Sequence, residues 1–258
     1  MTLPKALLHV LSLLLIVMVG DSAVSVRAQS TRARSATDYY NRGNERQKQG
    51  DLKGALEDYT FALKFDPELA QAWNNRGVVQ YLKGELDRAI ADCSKAIDLK
   101  SDYAEAWNNR GNARQDKGEL DQAISDFDQA ITLNPRYAVA FHNRGTARQA
   151  RRDLDGAILD YTRALELNSR YTSAFLNRGN ARREKGSLTE ALADFDQALK
   201  LDQHRATAWA SRGLLLLSLG RESEAERDFR ECLKLDPALK PSLNARVDQV
   251  KQRRPAFD

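Results

Sequence analysis

Between residues 36 and 239, small and aromatic residues recur at fixed places, and charged or amide residues fill the intervals. The dipeptide Arg-Gly marks the period: Arg42-Gly43, Arg76-Gly77, Arg110-Gly111, Arg144-Gly145, Arg178-Gly179 and Arg212-Gly213 are each 34 residues apart, with no insertion. Starting each unit seven residues before its Gly gives six repeats, 36–69, 70–103, 104–137, 138–171, 172–205 and 206–239. Place 4 is aromatic in every repeat (Tyr39, Trp73, Trp107, Phe141, Phe175, Trp209), and place 20 is always Ala. Place 24 is aromatic except for Cys93, and place 27 is Ala except for Cys232. Places 4 and 8 lie one turn apart on one helix, while 20, 24 and 27 share a face of a second. Gly at place 15, replaced only by Arg152, marks the turn between them, and Pro67, Pro135 and Pro237 stop the second helix. Neither helix buries its apolar face alone. Stacked neighbours bury it together, which predicts a solenoid.

This order of aromatic, Gly, Ala, aromatic, Ala and Pro resembles the tetratricopeptide repeat family, over residues 36–239. The resemblance implies an all-α fold: a right-handed superhelical solenoid of six antiparallel helix pairs, with helix A of each pair lining a concave groove. After Pro241, Leu243, Val247 and Val250 follow an i, i+4, i+7 pattern, so residues 240–258 are expected to form a capping helix and tail over the apolar end of repeat six. The alternative for that helix is a homodimer contact. In repeat six, Leu214 to Leu217 replace polar places. That patch either receives the final helix or faces a partner.

Two columns depart from the family. Place 7 is Arg in all repeats (Arg42, Arg76, Arg110, Arg144, Arg178, Arg212), and place 23 is Asp in all (Asp58, Asp92, Asp126, Asp160, Asp194, Asp228). Each lies about 300° round its helix from the buried stripe, so both border the core seam. Buried or half-buried Arg–Asp pairs are expected, within or between repeats, against a solvated charge ladder as the alternative. Place 6 is Asn41, Asn75, Asn109, Asn143 and Asn177, then Ser211. Asn44, Asn112 and Asn180 follow at place 9. Place 6 is about 200° from places 4 and 8, pointing these amides away from the seam. The column looks like the asparagine ladder of O-GlcNAc transferase repeats, which grips extended peptide backbones. An amide both donates and accepts, matching a peptide group at about 1 kcal/mol per bond. The alternative is a tolerated polar residue on helix A. The family's clamp for acidic C-terminal tails needs Lys at places 5 and 2, and both are absent. Place 11 is Arg46, Arg114, Arg148 and Arg182. With Arg151, Arg152 and Arg183 the middle repeats are basic, which suits an acidic partner unless these side chains are solvated or paired with Asp116 and Glu184.

At the front, Lys5, the 14 apolar-rich residues from Ala6 to Val19, the breakers Gly20 to Ser22, and Val26-Arg27-Ala28 have the three-part order of a secretory signal. Residues 1–28 are therefore expected to be a signal peptide cleaved after Ala28, with 29–35 a linker. The apolar stretch is short for a retained span, which needs about 20 residues. Forty Lys and Arg against 36 Asp and Glu leave +4, a near-balance that argues against nucleic acid. Two Cys and three His supply neither a disulfide framework nor a zinc site. Cys93 and Cys232 stand at small core places, and His142 and His204 are isolated surface candidates. No phosphate loop or nucleophile elbow is present, so neither a cofactor nor catalysis is expected. The expectation is a secreted or periplasmic, non-enzymatic scaffold of the cell envelope that binds a protein or extended peptide in its groove. It would not insert stably in a membrane once the signal is removed. The alternative is a regulatory subunit of an envelope enzyme, acting through repeat six and the final helix.

Overall fold

A computed structural model describes residues 35–253. The expected signal, its cleavage point and most of the linker lie outside the described residues. Among the described residues there are only helices, turns and one short 3-10 segment. The chain divides into two compact units, one ending at Glu68 and the other beginning at Leu69.

The first unit is one helix pair, α1 (Ala36–Lys48) and α2 (Leu52–Phe65). A reciprocal capping box starts α1: Ser35 Oγ accepts from the Asp38 N–H at 3.1 Å, and Asp38 Oδ2 accepts from the Ser35 N–H at 2.9 Å. Asp51 caps α2 through the Gly54 N–H. The pair closes where Gly43 meets the fully buried Tyr59. A Cβ on Gly43 would lie 2.7 Å from that ring, so only Gly permits the approach.

The second unit contains α3 (Ala70–Leu82), α4 (Leu86–Leu99), α5 (Ala104–Asp116), α6 (Leu120–Leu133), α7 (Ala138–Ala150), α8 (Leu154–Leu167), α9 (Thr172–Lys185), α10 (Leu188–Leu201), α11 (Ala206–Ser218), α12 (Glu222–Leu235) and α13 (Lys240–Arg253). These form five tandem A/B pairs and a final helix. Each A helix packs on its own B helix, and α5, α7, α9 and α11 also pack on the B helix before them. The core is built from small residues around one ring per repeat. Ala123, Phe127 and Ala130 are fully buried, as are Ala157, Tyr161 and Ala164, and Ala191, Phe195 and Ala198. In repeat two the ring is replaced by buried Cys93, whose Sγ sits under Gly77. The A-to-B turns use the left-handed region at Gly84, Gly118, Gly186 and Gly220. Arg152 adopts it too, at φ 68°. A side chain with a Cβ is strained there.

The last helix departs from the stacking rule. In the repeat register, Leu243, Arg246 and Val247 stand where other units carry the aromatic, Arg and Gly. Helix α13 docks chiefly on α11 instead of on the preceding B helix. Leu243 is 3% exposed against Ala210, Leu214 and Cys232, while Val247 and Val250 cover Leu216 and Leu217. The apolar patch of repeat six therefore receives the chain's own tail.

Candidate binding face

Places 7 and 23 meet in every repeat. Arg42 forms a two-pronged pair with Asp58. The other five place-7 arginines approach Asp92, Asp126, Asp160, Asp194 and Asp228 at 2.5 to 2.8 Å. The carboxylates are buried and the guanidiniums half-buried. Each guanidinium also lies over the place-4 ring of its own helix, 4.6 to 5.6 Å from the centroid. In the second unit, Nη1 reaches back one repeat. Arg110 donates to Ser94, Arg144 to Asp128, Arg178 to Thr162 and Arg212 to Asp196. One side chain thus joins an A helix, its own B helix and the previous B helix. The place-11 arginines join the same clasp: Arg46, Arg114, Arg148 and Arg182 bind Asp58, Asp126, Asp160 and Asp194 at 2.7 to 3.1 Å. These four do not pair with Asp116 or Glu184, whereas Arg152 does reach Glu184, at 3.3 Å. Asp116 accepts from the Tyr81 hydroxyl, and burial together with that bond pushes the phenol pKa up to about 12. Hydrogen bonds to Asp228 hold the Arg212 guanidinium above its ordinary value despite burial.

The asparagines form a chain between A helices. Asn109 Nδ2 donates to Asn74 of the preceding repeat at 3.0 Å. Asn143 Nδ2 donates to Asn108 at 3.0 Å and to Asn112 at 2.9 Å. Asn75 accepts from Asn74. In the next step His142 stands in the Asn74 and Asn108 column. Its Nε2 is 3.1 Å from Asn177 Nδ2, and its Nδ1 is 3.2 Å from Asn143 Oδ1. Nε2 accepting and Nδ1–H donating is the neutral tautomer. Burial lowers the His142 pKa, against the Asn143 bond and with a contribution from Arg205. Helical angles alone placed the place-6 amides away from the seam. Stacking instead brings the next A helix alongside them, so this column bridges helices rather than projecting freely. His142 is a ladder member held between Tyr161 and Tyr171, not a surface residue. In the first unit Asn41 is exposed and Asn44 accepts from the Tyr59 hydroxyl. Asn180 differs from the others, because its buried Oδ1 has no hydrogen-bond partner.

Three cavities, of about 410, 320 and 650 Å³, succeed one another along the A-helix face of repeats four to six. Glu184 lines all three. Gln149 and Arg152 each line two, and α13 walls the last two through Arg246. Gln149 and Arg152 hold Glu184, at 2.9 and 3.3 Å. The walls mix polar residues such as Gln149, Asn180 and Ser211 with apolar ones such as Leu176, Leu214 and Leu243. Among the described residues no group of His, Cys, Asp or Glu is arranged to hold a metal ion, and no helix is long and apolar enough to cross a membrane. Both cysteines are buried and unpaired, and burial with the neighbouring Asp92 pushes the Cys93 thiol up to about 12.

Tetratricopeptide repeat models match residues 40–104, 104–137 and 206–239, and a TPR repeat model matches 179–220. Together they cover most of the chain. The chain belongs to the tetratricopeptide repeat family. Among solved structures, this repeat protein is similar to MamA, at 28% identity over 64% of this chain and 96% of that one, with a TM-score of 0.57. YrrB, described as "a TPR protein with an unusual peptide-binding site", is 24% identical over 75% of this chain and 97% of its own, with a TM-score of 0.59. PilF of Pseudomonas aeruginosa shares the fold at 19% identity and a TM-score of 0.73, over 85% of this chain and 97% of its own. A comparison with curated proteins returned no match.

Proposed function

We propose that this protein is an exported, non-enzymatic scaffold that holds a polypeptide along the A-helix face of its second unit. The observation that carries this reading is the run of adjoining cavities from Thr146 to Arg246, whose lining mixes polar and apolar side chains. Extended peptides present alternating side chains and main-chain amides, which need that mixture. The asparagines serve the face in two ways. Asn109, Asn143 and Asn177 hold successive A helices in register, and Asn180 lines the middle cavity. The peptide-binding description of YrrB agrees with the reading. Export rests on the order of Lys5, the apolar stretch and Val26-Arg27-Ala28, and places the scaffold in the periplasm or outside the cell. N-terminal sequencing of the exported chain, starting at Gln29, checks that part.

A photo-crosslinking residue at Gln149 tests the face. It should capture a peptide or protein partner in envelope extract. The same residue at Leu159, which is 69% exposed on helix B of repeat four, should not. Equal capture at both positions, or capture at Leu159 alone, would move binding off the A-helix face.

A further inference from the structure

In repeats one, three, four and five, one oxygen of the buried place-23 carboxylate accepts from two arginines. Oδ2 of Asp58, Asp126, Asp160 and Asp194 takes Nε of the place-7 arginine and Nη1 of the place-11 arginine. In repeat six Leu216 stands at place 11, and Asp228 Oδ2 accepts only from Arg212, at 2.8 Å. Asp228 is 3% exposed and carries one bond fewer than those four counterparts, although a carboxylate offers about four lone-pair sites.

A leucine side chain ends where an arginine continues. Asp228 and Leu216 line a cavity of about 560 Å³ between α10, α11 and α12, which shares no lining residue with the three cavities of the A-helix face. Trp209 and Leu216 give it an apolar wall, and Glu224 lines it at place 19. In repeat one the carbonyl of that place, on Gly54, accepts from Arg46 Nη1 at 3.1 Å. Arg221 does not fill the space, because its guanidinium is forked on the Glu224 carboxylate at 2.7 Å. Arg227 and Arg230 also line the cavity. Both are exposed, and neither makes an ion pair among the described residues.

We propose that this cavity is a subsite for an arginine side chain of a partner polypeptide. The incoming guanidinium donates to Asp228 Oδ2 as Arg148 does to Asp160, and its methylenes lie along Trp209 and Leu216. Arg227 and Arg230 take an acidic residue beside that arginine, so the ligand is a segment carrying Arg next to Asp or Glu. A guanidinium suits the place because its planar fork of donors makes charge-assisted bonds, and Arg212 already holds the carboxylate buried and oriented. The subsite lies on other side chains than the A-helix face and gives the scaffold a second point of attachment.

The test uses the purified, ¹⁵N-labelled protein and follows the indole N–H resonance of Trp209, assigned by its loss in W209F. Phe141 and Phe175 show that Phe is accepted at this place. The probes are capped hexapeptides of Gly and Ser with Arg-Glu at the centre, and the same peptides with Lys or citrulline for Arg. The arginine peptide should shift the resonance with a Kd below about 1 mM, about tenfold tighter than either of the others. L216R supplies the guanidinium from within and should abolish this binding while circular dichroism keeps its helical signal. Should L216R fail to fold, L216Q serves instead, since Gln80 stands at this place in repeat two, and it should weaken binding. No shift up to about 10 mM, equal binding of the three peptides, or binding unchanged by the place-11 substitution would overturn the subsite. Agmatine binding as tightly as the arginine peptide would overturn it too, since the cavity would then take a small cation and not a polypeptide. Crosslinking at Gln149 reports the A-helix face and stands or falls separately.

Discussion

Repeats three to five and repeat six follow one template, yet they solve the burial of helix A differently. In the middle repeats, Asp126, Asp160 and Asp194 each bind two arginines, and the outer side of helix A carries amides that bond to the next repeat. In repeat six, Leu216 replaces the second arginine, Asp228 keeps only Arg212, and Leu214 and Leu217 stand where the others are polar. A polar edge is completed by another copy of itself, so it propagates the array. An apolar edge is completed by any amphipathic helix, so it ends the array, and here α13 fills that role. The difference teaches that the register of a solenoid is held by directional bonds, while its termination needs only shape and apolar area.

The largest effect should come from breaking the doubled clasp. D160A takes from Arg144 and Arg148 their shared buried carboxylate, leaving them only the more exposed Asp128 and Asp153, and should cost about 3–5 kcal/mol in urea unfolding. D228A takes the buried partner from one arginine, which keeps Asp196, and should cost clearly less; equal losses would remove the distinction between the two regions. Next is L243A, which opens a cavity under α13 and should cost about 2–5 kcal/mol. Its loss should localise: hydrogen exchange should quicken in α13 and α11 and stay unchanged in α5 and α7. Smaller and opposite in sign is R152G, which relieves the one non-glycine left-handed residue among the described residues and should raise stability by about 0.5–1 kcal/mol. The exposed Arg152–Glu184 contact that it removes is worth under about 1 kcal/mol.

The smallest effect is a pH dependence confined to the middle ladder. Because the folded His142 pKa is lowered, the unfolded chain takes up its proton first as pH falls through about 6.5. Stability is full above that value and declines below it. H142N restores the residue found at Asn74 and Asn108, and it should flatten this slope between about pH 7 and 5.5 while leaving stability near pH 8 unchanged. A slope of the same size in H142N would assign the titration to another group.

Much of this was legible in the sequence. The 34-residue spacing of Arg-Gly set the helix pairs, since a two-helix unit with Gly and Ala at facing places packs in only one way. The Arg and Asp columns were legible as seam residues from their angle to the buried stripe. The reach of Arg110, Arg144, Arg178 and Arg212 to Ser94, Asp128, Thr162 and Asp196 was missed, although that polar column repeats as regularly as the others. The bonds among the asparagines were not legible because helical angles describe one helix, and the amides that meet Asn109 and Asn143 belong to the preceding repeat.

By itself, then, the sequence determined which segments are helices, which face of each is buried and how many units stack, because those follow from periodicities within 34 residues. Only the tertiary structure decided where α13 lies, that Asp228 borders a cavity, and that His142 sits in an amide chain. These depend on packing between segments distant along the chain, which the pattern within one repeat does not record.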